Sequence, residues 1–88
     1  MITLVDFYAD WCGPCKIMEP IFEDVKKDYK EKVEFKKVDV EENNAEAMKF
    51  GVMSIPTFVI IKDGKEIDRR LGAMPKNVLT GWLDSHLK

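Results

Sequence analysis

A β-branched and aromatic run, Ile2 to Tyr8, leads within a few residues into Cys12-Gly13-Pro14-Cys15 and then into a long amphipathic segment. No other feature narrows the possible folds so far. The run has the composition of a strand with both faces covered. Gly13 and Pro14 suit the first turn of a helix, where the amide hydrogen that proline lacks has no intrahelical partner. Ile17, Ile21, Val25 and Tyr29 then recur every four residues, and Met18 and Phe22 widen the stripe. Pro20 falls inside this pattern and is expected to kink the helix rather than end it. Val33 to Val40 reads as a second strand. A strand, a helix and another strand in series imply parallel pairing through a right-handed crossover.

Beyond that unit, Asn43 or Asn44 can cap a short helix holding Ala47, Met48 and Phe50, with Gly51 as its stop. Thr57 to Ile61 is a third strand. Asp63-Gly64 is a two-residue hairpin signal, so Glu66 to Leu71 returns antiparallel as a fourth strand. Pro75 opens a last helix with Val78, Leu79, Trp82 and Leu83 on one face. The order β-α-β-α-β-β-α gives an α/β chain, a mixed sheet with helices on its faces. At 88 residues it forms a single domain, 1–88.

Composition removes several classes of function. With 45% hydrophobic residues and a net charge of -2 the chain is too apolar and too nearly neutral to be disordered. It also lacks the basic face of a nucleic-acid binder. No apolar run approaches the roughly 20 residues of a membrane span. No basic region precedes the first apolar stretch, and Asp6 interrupts it, so no signal peptide and a cytoplasmic location are expected. Two cysteines this close in such a setting point to redox or metal chemistry rather than to a structural staple.

The position of the pair favours redox chemistry. Thiol-disulfide exchange needs a thiolate. A helix N-terminus offers unpaired amide hydrogens and about half a positive charge, and both favour that anion. Cys12 is therefore the expected nucleophile, exposed and with a lowered pKa. Cys15, one turn on, is placed to resolve a mixed disulfide at Cys12. Asp6 lies between the apolar Val5 and Phe7, which argues for a buried carboxyl.

Taken together, Val5-Asp6-Phe7, Trp11-Cys12-Gly13-Pro14-Cys15-Lys16, Pro20, Ile55-Pro56-Thr57, Asp63-Gly64 and Leu71-Gly72-Ala73 resemble the thioredoxin family over nearly the whole chain. The resemblance implies a minimal thioredoxin fold with a four-stranded mixed sheet in the order 2-1-3-4. It implies a protein-disulfide reductase that acts on disulfide-containing proteins and is recycled by a thioredoxin reductase, with no cofactor beyond the dithiol and no metal. Pro56 matches the family's cis-proline. Asp6 matches a buried carboxylate that accepts a proton from Cys15 through water, and Lys37 matches a lysine near it. Trp11, Gly13, Pro14, Ile55, Pro56, Gly72 and Ala73 match the surface that receives substrate. Gly-Pro between the cysteines resembles the reducing branch of the family. Tyr8 stands where many members have tryptophan, and Met53-Ser54 where a basic residue and glycine are common.

Other readings stand beside this one. The two cysteines could be half of a zinc site, or two chains could share a metal or cluster. The fold could serve as a binding module that uses the dithiol little, or as an oxidase or isomerase. Lys37 could be a solvated edge residue. Trp82 is expected in the core and His86 on the surface. Relative to the family the chain starts after a first strand and helix. The edge beside Val33 to Val40 is therefore expected to be bare, guarded by Glu34, Lys36 and Lys37, on a monomer.

Overall fold

A computed structural model describes all residues, Met1–Lys88. The elements run β1 (Ile2–Tyr8), α1 (Gly13–Tyr29), β2 (Val33–Asp39), α2 (Asn44–Lys49), β3 (Thr57–Lys62), β4 (Lys65–Leu71) and α3 (Lys76–Ser85). The four strands form one sheet in the order β2-β1-β3-β4. β1 and β2 are parallel, with Leu4 opposite Phe35 and Asp6 opposite Lys37. β1–β3 and β3–β4 are antiparallel. Asp63 and Gly64 both take positive φ, 53° and 79°, as a two-residue turn matched to the twist of its strands requires.

Side-chain alternation along β1 divides the interior into two layers. Ile2 and Leu4 face α1 and α3 with Met18, Phe22, Val25, Phe58, Ile60, Leu79, Trp82 and Leu83. Val5 and Phe7 point the other way, against Val38, Val59 and Ala47 of α2. Asp6 shares the face of Leu4, so the strand's period of two aims a carboxyl into the layer beneath α1. β1, paired on both sides and covered on both faces, is the floor of the site.

Three expectations about helix faces need correction. The four-residue spacing of Ile17, Ile21, Val25 and Tyr29 drifts against a 3.6-residue turn. The buried line is instead Met18, Phe22 and Val25, and Ile17 is exposed. Met48 points outward while Ala47 takes the buried position, and Val78 lies at the rim of α3. α1 runs through Pro20 without ending. His86, expected at the surface, is half-buried, with Nε2 2.9 Å from Oδ2 of Asp68. The same carboxylate oxygen accepts the Trp82 indole N–H at 2.8 Å. Hydrogen bonds from Trp82 and then His86 hold the Asp68 carboxyl below its ordinary range.

Candidate active site

The end of β1 delivers Cys12 as the N-cap residue of α1, with Pro14 in the first turn. Helix geometry brings Cys15 back beside it. The two cysteines are joined as a disulfide with Cα atoms 5.2 Å apart. The amide N–H of Cys15 donates to Sγ of Cys12 at 3.2 Å. Cys12 Sγ also lies 3.9 Å from the Ile55 carbonyl oxygen. Cys12 was expected to be exposed, but both residues are largely covered, at 5% and 6% exposure. Ala9, Tyr8, Val40 and Ile55 pack around the pair. What distinguishes the two sulfurs is the helix amide aimed at Cys12, not their overall burial.

The Ile55-Pro56 bond is cis and sets the Ile55 carbonyl against the disulfide. The Gly72 N–H donates to the Pro56 carbonyl at 2.8 Å, which ties the end of β4 to this loop. Gly72 sits at φ 86°, a backbone conformation that L side chains rarely adopt. Trp11, Gly13 and Pro14, next to the cysteines in the chain, are exposed, and so is Ala73. Of the expected substrate-facing residues, Ile55 meets the pair directly and Gly72 is joined to the Pro56 loop next to it.

Next to Trp11 and Ile55 is a hollow of about 220 Å³ lined also by Val40, Val52, Met53 and Ser54. Val40 and Val52 were not anticipated. They follow β2 and α2 respectively, and only the packing of those two segments brings them together.

A second cavity, of about 240 Å³, is lined in part by Cys15. Asp6, Tyr8, Ala9, Asp10, Cys15, Lys16, Glu19 and Lys37 line it. Asp6 is 2% exposed, and its Oδ1 has no hydrogen-bond partner. Burial, opposed by Lys37 and helped by Glu19, pushes its carboxyl up from 3.8 to about 7. Cys15 and Asp6 thus open onto the same small space. Tyr8 and Glu19 belong to this group and were not singled out as site residues. The strand period of two, which puts Tyr8 and Asp6 on one face, could have suggested Tyr8.

No group of three or more His, Cys, Asp or Glu residues that could hold a metal ion is present. No helix is long and apolar enough to cross a membrane.

Comparison with known proteins gives a consistent result. A family model described as thioredoxin matches residues 1–85. A thioredoxin from Staphylococcus aureus is 48% identical over 86 residues, covering 98% of this chain and 83% of the relative. One from Staphylococcus haemolyticus is 49% identical over the same lengths. Among solved structures, a mutant thioredoxin from Halobacterium salinarum NRC-1 superposes with a TM-score of 0.91 at 36% identity, covering 99% of this chain and 75% of that one. The family works by dithiol-disulfide exchange, with disulfide-containing proteins and thioredoxin reductase as its general kinds of partner. By sequence, topology and the geometry of its cysteine pair, the chain belongs to the thioredoxin family and is a thiol-disulfide oxidoreductase acting through Cys12 and Cys15.

Proposed function

We propose that the chain runs this exchange in the reducing direction, with Cys12 as nucleophile and Cys15 as resolving thiol. The Cys12 thiolate attacks one sulfur of a target disulfide. A Cys12–target bond forms, the target's own bond breaks, and one target thiolate leaves. Cys15, deprotonated, then attacks Sγ of Cys12. The mixed disulfide breaks, the second target thiolate leaves, and the Cys12–Cys15 bond closes. Two electrons pass to the target, and two protons complete its thiols. A thioredoxin reductase returns the electrons.

The observation that carries the assignment is the Cys15 N–H aimed at Cys12 Sγ at 3.2 Å. A helix amide at that sulfur stabilises its anion, and no equivalent donor serves Cys15. Asp6 takes the Cys15 proton across the cavity both residues line, and Lys37 tunes its charge. Trp11, Gly13, Pro14, Ile55, Pro56, Gly72 and Ala73 form the surface on which an extended target segment lies. Gly-Pro between the cysteines supports reduction over oxidation or isomerisation, and a reducing role suits the cytoplasm. Residues 1–88 act as one domain and as a monomer, whose β2 edge carries the exposed charges of Glu34, Lys36 and Lys37. The catalytic chemistry is that of the dithiol alone, with no cofactor or metal.

Alkylation with iodoacetamide after reduction tests the assignment. Cys12 should react much faster than Cys15 at neutral pH. Cys15→Ser should accumulate a mixed disulfide on Cys12, and Cys12→Ser should abolish insulin reduction. Equal alkylation rates would overturn it.

A further inference from the structure

Asp6 and Lys37 lie in register on adjacent strands, yet no ion pair joins them. The lysine that does pair with carboxylates is Lys76, with Asp24 and Asp28. Oδ1 of Asp6 is without a partner. The Lys37 ammonium stands instead 4.7 Å from the centroid of the Tyr8 ring. Tyr8 is two residues along β1 from Asp6, so their side chains share a face. All three residues line the cavity that Cys15 also enters.

A flexible lysine beside a buried carboxyl would ordinarily turn toward it and favour its ionised form. An aromatic face offers the ammonium another attractive site. We propose that Tyr8 is a positioning residue for the exchange reaction: its ring holds the Lys37 ammonium off Asp6, leaving that carboxyl unpaired and free to accept a proton. The inference rests on the reading of Asp6 as the proton acceptor for Cys15.

The other charged groups around Asp6 do not replace this device. α1 contributes Lys16 and Glu19, and the loop after β1 contributes Asp10. On β3 the residue opposite Asp6 is the apolar Phe58. Burial raises the Asp6 carboxyl, Lys37 lowers it and Glu19 raises it, so Lys37 is the one cation opposing the rise, and its ammonium is the group that sits against the Tyr8 ring.

The test follows the Asp6 side-chain carboxyl by carbon NMR through a pH titration of the oxidised protein. Tyr8→Leu removes the ring and keeps an apolar side chain, whereas Tyr8→Phe keeps the ring. Each is measured with Lys37 present and in a Lys37→Met background. With Lys37 present, Tyr8→Leu should lower the Asp6 midpoint by about 1 unit, the low end of what a close opposite charge does to a carboxyl. In the Lys37→Met background the drop should largely vanish, and Tyr8→Phe should leave the midpoint in place. An equal drop in both backgrounds would show that the ring acts only by excluding water, and would overturn the proposal. So would an unchanged midpoint in Tyr8→Leu, or a Phe variant that behaves like the Leu variant. Should Tyr8→Leu not fold, Tyr8→Met makes the same comparison. Asp6→Asn turnover tests the proton-acceptor reading separately, because the titration reports the clamp whether or not Asp6 serves Cys15.

Discussion

Replacing Asp6 by asparagine should stabilise the oxidised protein, and by an amount that depends on pH. The native carboxyl titrates at about 7 against 3.8 for an ordinary aspartate. The folded state therefore holds this proton more tightly than the unfolded chain does. Stability of the wild type is highest while both states are protonated. It falls as pH rises from about 4, where the unfolded chain ionises, to about 7, where the folded one does, and then levels off. A shift of about 3 units corresponds to roughly 4 kcal/mol at the upper end of that window. The asparagine side chain does not titrate, so the variant escapes this loss. Its buried amide costs about 1–3 kcal/mol where partners are lacking, as they are for Oδ1 of Asp6. The net gain is therefore about 1–3 kcal/mol at pH 8, reversing near pH 4, where only the amide's cost remains.

Urea unfolding of the oxidised proteins at intervals from pH 4 to pH 9 measures the difference directly. The variant should gain on the wild type steadily as pH rises from about 4, and the two stability curves should run parallel above about pH 8. Turnover of the variant should fall at the same time, because the second attack loses its proton acceptor. Parallel curves over the whole range would refute the argument, since they would mean that folding leaves the Asp6 carboxyl unperturbed.

Trp11→Ala should lower kcat/KM for protein disulfides by about 5- to 30-fold, the cost of one truncated aromatic anchor, while small-molecule disulfides are reduced nearly as before. Equal losses on both substrates would place Trp11 in the chemistry instead. Asp68→Ala removes the acceptor shared by Trp82 and His86, and should cost about 1–2 kcal/mol in urea unfolding at pH 7. The Asp68 pKa is depressed, so its contribution is present above the ordinary carboxyl pKa and is lost as pH falls below about 4. The gap between wild type and variant should close there. Sedimentation over a concentration series should find a monomer at micromolar concentration, and a stable dimer would show that the charges on β2 do not protect its edge.

The parts of this molecule legible in its sequence are those fixed by local chemistry. The Asp63-Gly64 turn follows from backbone preference alone, and the start of α1 from a proline in its first turn after a β-branched strand. The dithiol is legible for the same reason, since three residues of helix bring its members together whatever the rest of the chain does. Faces were harder to assign. Ile17, Met48 and Val78 are apolar residues at helical spacing that the structure leaves exposed. A small domain exposes much apolar surface, so residue type cannot choose which stripe turns inward. Residues that depend on chain crossings were the least visible. Val40 and Val52 meet only because the ends of β2 and α2 converge beside Trp11. The same holds for the charge arrangement under the disulfide. Asp6 could be suspected from its apolar neighbours, but its unpaired state depends on where the Lys37 ammonium goes. That depends on the parallel register setting Lys37 beside Asp6, and on a Tyr8 ring centred 4.7 Å from the ammonium. The proposed proton transfer draws on a carboxyl left unpaired beside a lysine held over a neighbouring ring, and that arrangement belongs to the assembled sheet rather than to any one of its strands.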